Sequence, residues 1–332
     1  MKVAFFDTKT YDKTFFETQN EDYHYKFAFF ETRLTDHSVV LAKNFDVVCV
    51  FVRDEINAYV VKKLLEYNVK MIALRCAGYN NIDFTHINND LKVVNVPAYS
   101  PYAVAEFTVS MMLTLNRKIH KAYNRTRDMN FSLHGLLGFD MHNKTIGIIG
   151  TGKIAKVLIK ILKGYGCHIV AYDIHEDKSF AKEMDYTYTS LDHLFATSDI
   201  ISLHCPLTKE TEYIINQDSI LKMKDHVMII NTGRGKLINT LDLIEGLKNN
   251  KVGAAGLDVY EEESEYFYED YSERVIQDDV LTRLIGFPNV LITSHQAFFT
   301  NEALINITQT TLTSIYELQH NKPLTNQVIF DF

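Results

Sequence analysis

Apolar residues along this chain gather into short β-branched runs, and stretches of helical spacing separate the runs. In the first hundred residues the runs lie at Lys2–Phe6, Val47–Phe51, Met71–Leu74 and Val93–Val94. Their length and branching predict buried strands. Between two of them, Ile56, Val60, Leu64 and Tyr67 share one face, which predicts a helix over Ile56–Tyr67. Pro97 and Pro101 bracket a turn, and Pro101 suits the first turn of a helix. Tyr102–Asn116 continues that helix, with Ala103, Phe107, Met111 and Leu115 at helical spacing. A helix this apolar is expected to be buried, at a domain hinge or a subunit interface.

The pattern resumes with strand-like runs at Thr145–Ile149, His168–Tyr172, Ile200–Leu203, Val227–Ile230, Val252–Leu257 and Val290–Thr293. Helical stretches around Leu191–Phe195, Gln217–Met223 and Thr240–Asn249 separate them. Alternation of this kind predicts an α/β protein with doubly wound parallel sheets and ligands at the carboxyl ends of strands. The tail Asn301–His320 is again helical, and its simplest packing returns it to the N-terminal unit. The expected division is a discontinuous domain (1–100 plus 299–332) around a continuous domain (101–298). Glu261–Asp270 reads EEESEYFYED and is expected to be a solvated loop apart from Glu263. There are no internal repeats or low-complexity tracts.

The densest signal is Lys144–Asp173, KTIGIIGTGKIAKVLIKILKGYGCHIVAYD. A strand meets Gly150-Thr151-Gly152-Lys-Ile-Ala155, a helix opens, and a second strand ends at Asp173. This is a dinucleotide-binding fingerprint in its expected Rossmann context. Gly150 permits the tight turn, and Gly152 leaves room for a pyrophosphate on the helix N-terminus. Asp173 can accept hydrogen bonds from both ribose hydroxyls and would repel a 2′-phosphate, so NAD is favoured over NADP. Ala155 stands at the third glycine position, a replacement the fingerprint tolerates.

Bulk properties narrow the class. The chain has 332 residues, 46% hydrophobic and 23% charged, as in globular proteins. A net charge of −8 argues against general binding to nucleic acid or an anionic membrane. The opening MKVAFFDTKT has too short an apolar run for a signal peptide, and no segment has the length of a membrane span. Cys49, Cys76, Cys167 and Cys205 form no C-x-x-C pair and are expected to be reduced thiols in the cytoplasm. The histidines lack zinc-site spacing, so no metal is expected.

Three polar groups follow strand ends in the second unit: Asn231-Thr232-Gly233-Arg234-Gly235, Asp258-Val-Tyr-Glu-Glu-Glu263 and Ser294-His295-Gln296. Loops at carboxyl strand ends converge on the cofactor crevice, so Arg, Asp, Glu and His can meet there. Each residue alone has a plainer reading. Arg234 fits a surface ion pair, His295 a core histidine and Glu263 a solvated acid.

The chain resembles the D-2-hydroxyacid dehydrogenases, and within them the fermentative NAD-dependent D-lactate dehydrogenases. The resemblance spans essentially the whole sequence. It rests on ALRCAGYNNID (Ala73–Asp83), VPAYSPYAVAEF (Val96–Phe107), TLNRKIHKAYNRTRD (Thr114–Asp128), GTGKIA, ISLHCPLTKET (Ile201–Thr211), NTGRG, GLDVYEEE and SHQAF (Ser294–Phe298). It implies a discontinuous substrate domain joined to an NAD-binding domain. It implies that Arg234 grips the pyruvate carboxylate and polarises the ketone, and that His295 donates the proton. Glu263 would hydrogen-bond His295 and favour the imidazolium. Backbone N–H groups around Ala77 and Gly78 would hold the substrate carboxylate, and Tyr99 and Phe298 would line the pocket.

For NAD, the resemblance adds the backbone of Lys153 and Ile154 at the pyrophosphate, and Cys205, Pro206 and Thr211 beside the adenosine. Thr232, Gly233 and Arg234 lie on the nicotinamide side, and Asp258 matches the residue that binds the carboxamide. It also implies a homodimer or homotetramer and fermentative regeneration of NAD. Gly233, Phe107, Thr211 and Ala155 depart from frequent family residues, which leaves fine details of NAD affinity open. A larger 2-oxo acid substrate, a non-catalytic NAD sensor and a formate dehydrogenase are the competing readings.

Overall fold

The computed structural model describes residues 1–329. The chain divides into two compact units, 1–100 with the tail from Phe299, and Pro101–Phe298. The first unit contains β1 (Lys2–Phe5), α1 (Thr10–Gln19), β2 (Lys26–Phe29), β3 (Val47–Val50), α2 (Ala58–Glu66), β4 (Met71–Leu74) and β5 (Lys92–Val94), and the tail contributes α12 (Asn301–Gln319). Its sheet is parallel, in the order β2-β1-β3-β4-β5. Val3, Phe5, Val47, Cys49, Met71 and Ala73 form its core with Leu312 and Ile315 of α12. The tail helix therefore belongs to this core, and the Thr300 side chain caps its start by accepting from the Ala303 N–H at 3.2 Å. The Asn57 side chain caps α2 by accepting from the N–H groups of Tyr59 and Val60, each at 3.0 Å.

The second unit opens with α3 (Pro101–Arg117) and α4 (Ile119–Arg127), divided at Lys118, whose φ of +51° ends the first helix. There follow β6 (Thr145–Ile149), α5 (Lys153–Gly164), β7 (His168–Tyr172), α6 (Lys178–Glu183), β8 (Thr187–Tyr188), α7 (Leu191–Thr197), β9 (Ile200–Leu203) and α8 (Gln217–Lys222). The unit closes with β10 (Val227–Asn231), α9 (Thr240–Lys248), β11 (Val252–Leu257), α10 (Glu263–Tyr266), α11 (Asp279–Gly286) and β12 (Val290–Ile292). All seven strands are parallel, in the order β12-β11-β10-β9-β6-β7-β8. The order reverses between β6 and β9, the switch point at which open α/β sheets bind ligands. Two apolar cores cover the two faces of the sheet. One joins α3 and α5 through Met111, Met112, Leu115, Leu158 and Leu162; the other holds Leu243, Leu247, Leu281 and Leu284.

Both sheets thus have the parallel, doubly wound class expected. Hydrophobic patterning missed β2, α6 and α11, and with them three elements that have little to bury. The sequence of α1, TYDKTFFETQ, buries only Asp12 and Phe16; α4 buries none of its side chains; β8 has two residues. The run Glu261–Asp270 departs from the solvated loop expected. It contains α10 and the buried Phe267, and the Glu261 carboxylate accepts from Tyr213 Oη at 2.8 Å and from the Thr240 N–H at 2.7 Å.

Candidate active site

The ends of β10, β11 and β12 lie side by side, because Asn231 is in register with Leu257 and Leu257 with Ile292. The loops that carry Arg234, Glu263 and His295 therefore leave the sheet from adjacent positions. The His295 ring and the Glu263 carboxylate are paired, with Nδ1 2.8 Å from Oε1. The other Glu263 oxygen accepts from the Tyr260 N–H at 3.0 Å, which fixes the carboxylate at both ends. With Nδ1 engaged, Nε2 is the ring nitrogen left to face a reactant.

His295 has a φ of +53°, a left-handed conformation uncommon in non-glycine residues and held here by hydrogen bonds to one neighbour. That neighbour is Asp258. The Asp258 carbonyl accepts from the His295 N–H at 2.7 Å. Its carboxylate accepts from Thr293 Oγ1 at 2.6 Å and from the N–H groups of Gln296 and Ala297, both at 2.9 Å. This carboxylate is wholly buried, and burial pushes its pKa above the usual range against the pull of those hydrogen bonds. On the third loop, Asn231 Oδ1 accepts from the Gly233 N–H at 3.0 Å and its Nδ2 donates to the Arg234 carbonyl at 2.9 Å. Arg234 Nη1 donates to the Gly233 carbonyl at 2.8 Å, and the rest of the guanidinium fork remains for a ligand. The Thr232 hydroxyl meets that of Thr108 on α3, 3.0 Å away.

The cofactor-side residues collect around the other strand ends of the same sheet. Ile149 is in register with Tyr172 and with Leu203, so the Gly150 turn, Asp173 and Cys205 emerge together. Gly150 has a φ of +90°, and a Cβ there would lie 2.4 Å from the Cys205 nitrogen. Only glycine lets the two strand ends approach this closely. A Cβ on Gly152, by contrast, would meet nothing within 4 Å. Gly152 precedes the twelve-residue α5, so open space lies over a helix N-terminus carrying Lys153 and Ile154. Unpaired N–H groups facing open space suit a pyrophosphate.

Asp173 accepts from the Thr151 N–H at 2.6 Å and the Thr151 hydroxyl at 3.0 Å, both through Oδ2. Through Oδ1 it accepts from the His175 N–H at 2.8 Å. Burial raises its pKa, but these hydrogen bonds outweigh that and hold it below the ordinary carboxylate range. Three of its roughly four acceptor positions are thus filled. One is left for a ribose hydroxyl, where sequence reasoning allowed two. Thr211 closes the neighbouring loop by donating to the Pro206 carbonyl at 2.6 Å and accepting from the Thr208 N–H at 2.8 Å. Burial pushes the Cys205 thiol up to about 11. These features fit a dinucleotide.

In the first unit, Ala77 and Gly78 lie in the turn after β4. The Ala77 carbonyl accepts from Asn95 Nδ2 at 2.8 Å, and the Gly78 carbonyl from Cys76 Sγ at 3.3 Å. Tyr99 is half-buried, and Phe298, at the end of the second unit, is buried. Among the described residues, no cluster of His, Cys, Asp or Glu could hold a metal ion, and no helix is long and apolar enough to cross a membrane.

Residues 109–297 match the family model for the D-isomer specific 2-hydroxyacid dehydrogenase, NAD binding domain. A 2-hydroxyacid dehydrogenase homolog of Haemophilus influenzae is 49% identical over 330 residues, covering 99% of both chains. The D-lactate dehydrogenase of Escherichia coli is 48% identical over 330 residues, covering 99% of this chain and 100% of its own. The structure of the pyruvate reductase of Chlamydomonas reinhardtii superposes with a TM-score of 0.92 at 40% identity, covering 98% of each chain. The chain belongs to the D-isomer specific 2-hydroxyacid dehydrogenases.

As a member of this family it is an oxidoreductase acting on a CH–OH group, with an NAD-binding domain. Sequence reasoning overlooked several side chains that serve its site indirectly. Tyr268 donates to the His295 carbonyl at 3.0 Å, and Asn231 and Thr293 hold the loops of Arg234 and His295. Tyr188 lies 2.9 Å from the Thr151 hydroxyl. Asn231 was legible as part of a motif, but nothing in the sequence marks Tyr188 or Tyr268 as partners of residues 37 and 27 positions away.

Proposed function

We propose that this 2-hydroxyacid dehydrogenase is an NAD-dependent D-lactate dehydrogenase that reduces pyruvate to D-lactate and regenerates NAD in the cytoplasm. The observation that carries the reading is the His295–Glu263 pair at 2.8 Å beside the Arg234 loop. A proton donor locked to a carboxylate has a use in ketone reduction and none in a pure sensor. The names of the relatives add pyruvate and D-lactate to the reading.

Gly150, Thr151, Gly152, the N–H groups of Lys153 and Ile154, Asp173, the Cys205–Thr211 loop, Thr232 and Gly233 would hold the cofactor, whereas Asp258, expected at the carboxamide, is wholly buried and would act through the loop it organises. NADH, when bound, supplies the hydride. The residues of the chain supply the rest. Arg234 receives the substrate carboxylate with its planar fork and polarises the ketone oxygen. His295 gives that oxygen the proton from Nε2 and takes it back in lactate oxidation. Glu263 holds the ring in the tautomer and orientation that this requires. Ala77, Gly78, Tyr99 and Phe298 enter as the family's substrate-side positions.

The test is loss of NADH absorbance with pyruvate, followed by NAD reduction with D- and L-lactate separately. Turnover with pyruvate and with D-lactate alone is expected. Activity confined to a larger 2-oxo acid would replace the substrate assignment, and tight NADH binding without any turnover would favour the sensor.

We further propose that the chain self-associates through its second unit. Ile119, Tyr123, Met129, Phe131, Leu133 and Leu137 are between 59% and 88% exposed along one segment. A monomer rarely leaves so much apolar surface in water, and a second copy would cover it. Sedimentation of the wild type should give a dimer or larger, and a Phe131→Ser/Leu133→Ser variant should shift towards monomer. A monomeric wild type would refute the assignment.

A further inference from the structure

The Tyr188 hydroxyl lies below the ribose carboxylate without touching it, and its bonding is fixed by counting protons. The Asp177 N–H donates to Tyr188 Oη at 3.0 Å, and the Tyr186 hydroxyl donates to it at 3.1 Å. The Thr151 hydroxyl has one proton, and that proton goes to Asp173 Oδ2 at 3.0 Å. At the 2.9 Å contact between Thr151 and Tyr188, the donor must therefore be Tyr188. The result is a one-way chain, Tyr186 to Tyr188 to Thr151 to Asp173. β8 places it there. Tyr188 is in register with Ala171 of β7, two residues before Asp173.

The chain has a consequence for the cofactor. With Oδ2 filled by both Thr151 donors and Oδ1 by His175, the carboxylate plane is pinned, and its one open acceptor position has a set direction. Without the Tyr188 donor, the Thr151 hydroxyl is free to rotate and Oδ2 can lose its second bond. On the reading that this unit binds NADH, we infer that Tyr188 is a positioning residue for the adenosine ribose, acting through Thr151 on Asp173. Discrimination between NADH and NADPH then depends on a side chain that meets neither cofactor.

The experiment is calorimetric titration of NADH and NADPH into the full-length protein, with steady-state kinetics alongside. Tyr188→Phe keeps the ring and removes the donor. It should weaken NADH binding about 5- to 10-fold, the usual effect of removing one hydrogen-bond partner. NADPH binding should change less, which narrows the preference. KM for NADH should rise while kcat at saturating NADH stays at the wild-type value, a split that general loosening of the fold would not give. Thr151→Val should reproduce the loss, and Thr151→Ser should restore affinity by keeping the hydroxyl. The double variant Tyr188→Phe/Thr151→Val should be no weaker than the weaker single variant, because both break one chain. Wild-type affinity in Tyr188→Phe, or losses that multiply in the double variant, would overturn the inference. If Tyr188→Phe fails to fold, the Thr151→Val and Thr151→Ser pair decides by the same criterion. Wild-type protein that binds no NADH would instead overturn the parent reading, and the inference with it.

Discussion

Replacing Asp258 by Asn changes one atom and tests whether this buried carboxylate builds the loop that carries His295. The carboxylate is fully buried and receives three hydrogen bonds, two of them from N–H groups that have no rotational freedom. An amide in the same place has one oxygen and one NH2 group. With the NH2 group at the Oδ2 position it faces the Ala297 N–H, so one bond is lost and two donors are opposed. The alternative orientation is worse. It places the NH2 group against the Gln296 N–H and against Thr293, although the Thr293 hydroxyl can turn to accept. Losing a bond to a charged acceptor costs about 1.5–3 kcal/mol, and leaving a buried donor unmatched costs about 1–3 kcal/mol. Against this, the neutral amide avoids the desolvation that raises the Asp258 pKa. The net expectation is a loss of about 2–4 kcal/mol. The same change relaxes a loop whose His295 sits at a φ of +53°. A shift of about 1 Å in a reacting group costs roughly 100-fold in rate. Urea unfolding of wild type and variant, followed by fluorescence and circular dichroism, measures the first quantity; kcat/KM with pyruvate, the proposed substrate, measures the second. A variant within about 0.5 kcal/mol of wild type and with unchanged kcat/KM would show that Asp258 does not organise this loop.

Three further outcomes follow from the same geometry. Arg234→Lys should lower kcat/KM by about 100-fold or more, since an ammonium cannot reproduce the two-pronged contact; near-normal kinetics would remove Arg234 from the substrate. Glu263→Gln keeps the shape of the 2.8 Å contact to His295 but not its charge, and should cost about 10- to 100-fold in kcat/KM; an unaffected variant would count against the pair. Burial pushes the His204 pKa down to about 4. Because an unfolded histidine titrates near 6.5, the unfolded chain binds the proton first, and stability is lost as pH falls from about 6.5 towards 4. The residue as a whole is half-buried, so the full shift is discounted and about 1–2 kcal/mol of acid sensitivity is expected from it. His204→Gln should flatten stability against pH by that amount, and an identical slope in both proteins would rule the residue out.

The sequence was most legible where a residue's surroundings are local or periodic. Buried parallel strands such as Val47–Val50 and Val227–Asn231 are continuous apolar runs, because helices cover both of their faces, and their shortness and branching separate them from a buried helix such as α3. The Gly150 turn was legible because its φ of +90° and its close approach to Cys205 demand glycine. Elements that bury few side chains left no comparable trace. The helix α4 buries none, and the two-residue β8 is held by its neighbour β7. The acidic run misled for a physical reason. Charge density usually means solvent, but here Glu261 ties two loops together, whereas the Glu263 contact to His295 is the exception expected. Composition reports the average environment of a segment, whereas each of these two carboxylates has a partner far along the chain, 48 and 32 positions away.

Those long-range partners also explain why each motif has its particular spacing. At the end of β10, and where β11 and β12 end together, one side chain is turned back onto the protein and another is presented outward. Asn231 clamps the turn and Arg234, three positions on, is presented. Asp258 organises residues 293–297, and His295 is presented from them. Thr151 is bonded inward to Tyr188 and Asp173, and the open space over Gly152 is left for a ligand. A side chain turned inward affects stability and rate together, because the backbone it holds is also the mount of the reactive group. A presented side chain affects rate alone, because its removal leaves the mount intact. The motif length is then the distance over which one side chain can hold the backbone of the other, which is why NTGRG joins a clamp and a presented guanidinium in one turn. Sequence reasoning recovered the presented group in each case, since its chemistry is visible from residue type. Of the groups that hold it, Glu263 was recovered from a separate motif as the partner of His295, whereas Tyr188 and Tyr268 were not.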